Sequence, residues 1–88
     1  RMDLRAVMVK AADQTHNMRS MAAKLDAASS AEDAWRPFSR GPAETIDMAG
    51  RLVDALTSRL QELGGPAVLV EDLRAAFAAL VVHHPSRA

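Results

Sequence analysis

Three runs of apolar residues spaced three and four apart, the second closed by Gly64-Gly65-Pro66, confine this chain to helices packed on helices. The first run takes in Leu4, Val7, Met8, Ala11, Thr15, Met18, Ala22 and Leu25. The second takes in Ile46, Ala49, Val53, Leu56, Leu60 and Leu63, widened by Met48, Leu52 and Ala55. The third is Leu69, Leu73, Ala76, Phe77 and Leu80. Each makes a stripe down one side of a helix. Ala67-Val68-Leu69-Val70 has local strand propensity but no partner to pair with, so no strand is expected there. The expected fold class is all-α: a four-helix array of one long, one short and two medium helices. It forms a single domain over residues 1–82, with 83–88 as a flexible tail.

End signals set the boundaries. The first helix runs from Asp3, whose carboxylate suits a positive helix end, to Ala27 or Ala28, where Ser29-Ser30 closes it. Ala6, Val9, Ala12 and Ala23 give it a second, mixed face, the mark of a helix contacted on more than one side. A short helix follows from Ser29 or Ser30, with Ser29 and Glu32 as a capping box, and Pro37 ends it. Trp35 and Phe38 are expected to plug the end of the bundle. The third helix starts at Pro42 or Ala43 and stops at Gly64-Gly65-Pro66. The fourth spans Val70 to Val82, with Glu71 and Asp72 as first-turn acids.

Composition narrows the class of function. The 88 residues carry no net charge and only 3% aromatics, so nothing tracks phosphates along a nucleic acid or binds an anionic membrane. Hydrophobic residues make up 49%, much of it alanine, which favours close helix packing but few large buried side chains. Modest stability, or burial against a partner, is the expectation. The absence of cysteine removes disulfides and zinc–thiolate sites. No apolar run approaches the roughly 20 residues that span a bilayer, and a cytoplasmic protein is expected. Repeats, low-complexity tracts and glycine-rich phosphate loops are absent from the sequence.

One stretch departs from ordinary helix chemistry. Asp13, Asn17, Ser20 and Lys24 fall in one stripe nearly opposite the first apolar run. Aspartate and asparagine in mid-helix cost propensity, because their short side chains compete for backbone hydrogen bonds. A helix that accepts this twice, four residues apart, is arranged to hold a carboxylate and an amide towards something.

The segment Ala6–Met21, AVMVKAADQTHNMRSM, resembles the last metal-ligand helix of HD-superfamily phosphohydrolases. It is most similar to the guanosine-tetraphosphate (RelA/SpoT-type) hydrolases and their small stand-alone relatives. Val9-Lys10, Ala12-Asp13, Thr15, His16-Asn17, Met18-Arg19 and Ser20 fit the pattern position by position, with Ala11 smaller than usual. Asp33-Ala34-Trp35-Arg36-Pro37-Phe38 resembles the W-x-x-F segment that follows in the stand-alone members. The resemblance implies a metal-dependent hydrolysis of a nucleotide-like or alarmone-like phosphate ester. It makes Asp13 one ligand of a divalent metal, manganese in this family, and Asn17, Ser20 and Lys10 contacts to the substrate. Arg19 fits a structural ion pair better than a phosphate contact. His16 fits a packing or supporting role, because it points about 60° away from Asp13 on a helix.

The rest of the family's ligand set is missing. No histidine precedes His16 and no His-Asp dipeptide occurs, so the resemblance implies a catalytic ion only with ligands from elsewhere. Three expectations follow: the chain is the C-terminal part of an HD domain whose first helices are missing, it is a remnant that lost catalysis, or a complementary chain carries the missing half. The alternative is a non-catalytic helical interaction module that docks through the Ile46–Leu63 seam or the last helix, on a second copy or another chain. His83-His84 are adjacent tail residues that point apart, not a metal pair. Most of the five methionines occupy core-like positions.

Overall fold

The computed structural model describes residues 3–36 and 40–84. These are all-helical and contain no strand: α1 is Leu4–Ala27, α2 Ala31–Trp35, α3 Pro42–Glu62 and α4 Ala67–Val81. Only α1, α3 and α4 are long enough to carry a core. Because α2 spans 5 residues, the packed body is three helices with a short turn of helix between the first two.

Each start has a local cause. Asp3 is the N-cap of α1, its Oδ1 accepting the Ala6 amide at 2.9 Å and so satisfying a donor that has no partner within the helix. The cap of α2 is Ser30 rather than Ser29. Ser30 Oγ accepts the Asp33 amide at 3.1 Å, and Ser29 donates to Asp33 Oδ2 at 3.3 Å. The expected partner, Glu32, sits one position too early for the box. Pro42 opens α3 at a position where its missing N–H costs nothing.

The turn from α3 to α4 is a Schellman motif. Gly65 N–H bonds to the Leu60 carbonyl at 2.8 Å and Gly64 N–H to Gln61 at 3.3 Å, with Gly64 at φ +70°. Gly64→Ala forces a side chain into the left-handed region and is expected to lower stability by about 1 kcal/mol, measured as a shift in thermal midpoint. The same turn moves the start of α4. Pro66 takes the N-cap in extended backbone, and the helix begins at Ala67, not Val70. Glu71 and Asp72 are therefore past the first turn, and Asp72 instead faces Arg19 of α1 at 3.8 Å.

The apolar stripes meet in one core. Val7 and Met18 of α1, Ile46 and Leu60 of α3, and Leu73 and Leu80 of α4 are sealed from solvent. Two polar residues are buried with them, each spending its hydroxyl on the helix backbone: Thr15 on the Ala11 carbonyl at 2.9 Å, Thr57 on Asp54 at 3.1 Å. Gly50, mid-helix in α3, admits the Phe77 ring, whose Cζ lies 3.0 Å from where a Cβ would stand. Trp35 packs on the edge of this core; Phe38 lies outside the described residues.

Chain direction follows from contacts at the ends. Leu4 lies beside Gly65 at the head of α4, and His83 Nε2 reaches Asp26 Oδ1 at 2.7 Å at its foot. Thus α1 and α4 are parallel. His84 Nε2 reaches Asp47 Oδ1 at 3.1 Å, near the start of α3, so α3 runs against both. His83 and His84, expected to open a tail, are half-buried and tie the foot of α4 to both other helices. His83→Ala is expected to cost about 0.5 kcal/mol and to speed amide exchange in the last turn of α4, leaving the middle of α1 unchanged.

The body measures 41 × 21 × 20 Å, about two helix diameters across. With so few layers, each helix keeps a face towards solvent. For α1 that is the mixed face: Val9 is 57% exposed, and Ala12 and Ala23 are exposed. α1 packs against α4 and α3 and touches α2, but of its mixed face only Ala6 is half-buried among the described residues. The seam of α3 is used internally, since Ile46, Val53, Leu56 and Leu60 are buried against this chain's own helices. It is not a free docking edge.

Candidate functional site

The middle of α1 presents the singled-out residues in two groups. Asn17 and Ser20 line a groove of about 630 Å³ between α1 and α3, together with Gln14 and Lys24 on the same rim. Its far side is α3, through Thr45, Met48, Ala49 and Leu52. Asp13 and Lys10 line a separate, shallower depression of about 390 Å³ over the first half of α1, with Val9 and Ala6. Asp13 and Asn17 are one helical turn apart, so the two hollows adjoin across that turn.

Asp13, Asn17 and Lys10 are exposed and Ser20 is half-buried. Among the described residues, none of these side chains makes a hydrogen bond or an ion pair. Arginines elsewhere are paired: Arg19 on the same helix faces Asp72, Arg40 pairs with Glu44 at 2.9 Å, and Arg59 with Glu62 at 3.5 Å. The stripe that costs helix propensity is thus the stripe left without in-chain partners. His16 is exposed, which does not suit the packing role expected of it. One residue beyond the buried Thr15, its position is turned about 100° off the apolar stripe.

Asp13 supplies one hard oxygen, and a divalent ion needs several. Among the described residues, no three His, Asp or Glu side chains come together to hold a metal. The described residues do not make a metal centre by themselves. Electrostatically the site is open, with Asp13 flanked by Lys10 one turn back at a solvent-screened surface.

Thr45, Met48 and Leu52 were legible as helix residues but not as a groove wall. Their spacing of three and four marks one side of α3; which helix they face depends on the antiparallel pairing of α1 with α3. The same holds for the His83–Asp26 and His84–Asp47 contacts, which join residues far apart in sequence. Of the described helices, none is long and apolar enough to cross a membrane. No protein-family model matches the chain, and neither a curated protein nor a solved structure does.

Proposed function

We propose that α1 forms one wall of a metal-dependent phosphohydrolase site, completed by ligands from outside the described residues. The observation that carries this reading is the partnerless pair Asp13 and Asn17, one turn apart and exposed on a helix whose other polar side chains include a paired arginine. The resemblance of Ala6–Met21 to HD-type ligand helices gives the pair its chemistry. Asp13 would offer one oxygen to a divalent cation, manganese in the first instance, and such a cation, held with further ligands, would supply Lewis-acid chemistry for phosphate-ester hydrolysis. Asn17, Ser20 and Lys10 face a nucleotide-like or alarmone-like phosphate ester of the guanosine tetraphosphate type. Ser20 and Asn17 supply neutral hydrogen-bonding groups and Lys10 a point charge.

The open face of α1 supports the same reading. Val9, with Ala12 beside it, presents apolar surface next to Asp13, as expected where a further helix or a complementary chain bears the remaining ligands. The setting is a cytosolic one, and the substrate is a small molecule rather than a nucleic acid or a membrane. In this account the described residues alone hydrolyse nothing.

The test is phosphate release from a panel of guanosine and adenosine polyphosphates, using protein expressed from its complete coding sequence with and without manganese. Manganese-dependent release is expected. Asn17→Ala should then raise KM by about tenfold, the loss of one or two hydrogen bonds to substrate. Release that ignores manganese, or none across the panel, overturns the reading.

A further inference from the structure

The groove between α1 and α3 has an uneven distribution of charge that the phosphohydrolase reading does not use. One end carries the Lys24 ammonium and the Thr45 hydroxyl. The floor and the α3 wall beyond them are the thioethers of Met18, Met21 and Met48, with Leu52. No carboxylate lines the groove, and Lys24 is the one charged residue in its lining; the Arg40 guanidinium lies against Met48 Sδ at 3.1 Å but is paired with Glu44, whereas among the described residues Lys24 has no ion-pair partner. The nearby acids are engaged elsewhere, Glu44 by Arg40 and Asp47 by His84. Met48, 43% exposed, stands at the open side of the groove with Asn17 and Lys24, while Met18 is its buried floor.

A volume of about 630 Å³ lies within the range of small-molecule sites. From Gln14 to Lys24 the α1 rim is about 15 Å long at 1.5 Å per residue. Unbranched thioether side chains adapt to a flexible apolar body better than branched ones do. A lone cation with a hydroxyl at one end fixes the orientation of an anionic head.

We propose that this groove binds an amphipathic monoanion: a carboxylate head at Lys24 and Thr45, with an unbranched apolar body laid along Met18, Met21, Met48 and Leu52. The site shares Asn17 and Ser20 with the hydrolase reading, yet needs neither Asp13 nor a metal.

The experiment is a titration of the 88-residue chain with dodecanoate below its micelle concentration, followed by the ¹³C-methyl signals of the methionines. Saturable shifts are expected at Met18, Met21 and Met48, and not at Met8, which lies outside the groove. Lys24→Glu should weaken binding about tenfold or more by reversing the sign of the one unpaired charge in the lining; being exposed, it does not disturb the core. Dodecanol should bind more weakly than dodecanoate. Asp13→Ala should leave the titration unchanged, so failure here and failure of the metal site are separately visible. The proposal is overturned by shifts that do not saturate, by Met8 responding like the groove methionines, by Lys24→Glu binding as wild type, or by dodecanol binding as tightly as dodecanoate.

Discussion

Leu73→Ala should remove about 2–5 kcal/mol of unfolding free energy, measured by urea denaturation followed by helical circular dichroism. Leu73 is fully buried in α4, among side chains of α1 and α3 that are equally sealed. Truncation deletes its transfer free energy and leaves a cavity that the three packed helices cannot close without moving. For 88 residues the total stability is about 4–13 kcal/mol, so one side chain carries a large share. The matched control is Val68→Ala on the same helix. Val68 is 57% exposed, and its loss should change stability by no more than about 0.5 kcal/mol. Equal effects at the two positions would mean that α4 does not dock by the stripe described.

Asp13→Ala should act in the opposite sense on stability. Alanine is the better helix former by about 0.5 kcal/mol, and Asp13 has no in-chain bond to lose, so the isolated fold should become slightly firmer. In protein expressed from its complete coding sequence, the same substitution should lower manganese-dependent phosphate release by at least about 100-fold, since even residues that only support ligands cost 10–100-fold. Gain in the fold with loss in the reaction is the signature of a residue kept for chemistry against its local cost. A stability loss with no effect on the reaction would assign Asp13 to structure.

The helices were legible because their signals are local. Apolar spacing placed all six buried apolar positions of the α1, α3 and α4 cores named above, and Gly64-Gly65-Pro66 fixed a stop that the Schellman bonds explain. What was missed depends on choices between near-equal local options or on distant contacts. Ser29 and Ser30 offer the same cap one residue apart, and the position of Asp33 decides for Ser30. Ala67–Val70 carries strand-like residues, and Pro66 in extended backbone starts a helix through them instead. The site was half legible. The polar stripe of α1 could be read at its own spacing, but its division between a groove shared with α3 and an open face at Asp13 follows from where α3 packs. His83 and His84 were misread for the same reason: adjacent residues do point apart, and each points at a different helix.

The central claim is that the outer face of α1 supplies a metal ligand through Asp13. It is tested most directly by titrating manganese into protein expressed from its complete coding sequence, with free ion followed by electron paramagnetic resonance, for wild type and Asp13→Ala side by side. The account predicts saturable binding to wild type that weakens by at least about 100-fold in Asp13→Ala, while the 88-residue chain alone binds weakly in either form. Unchanged manganese affinity in Asp13→Ala would contradict it.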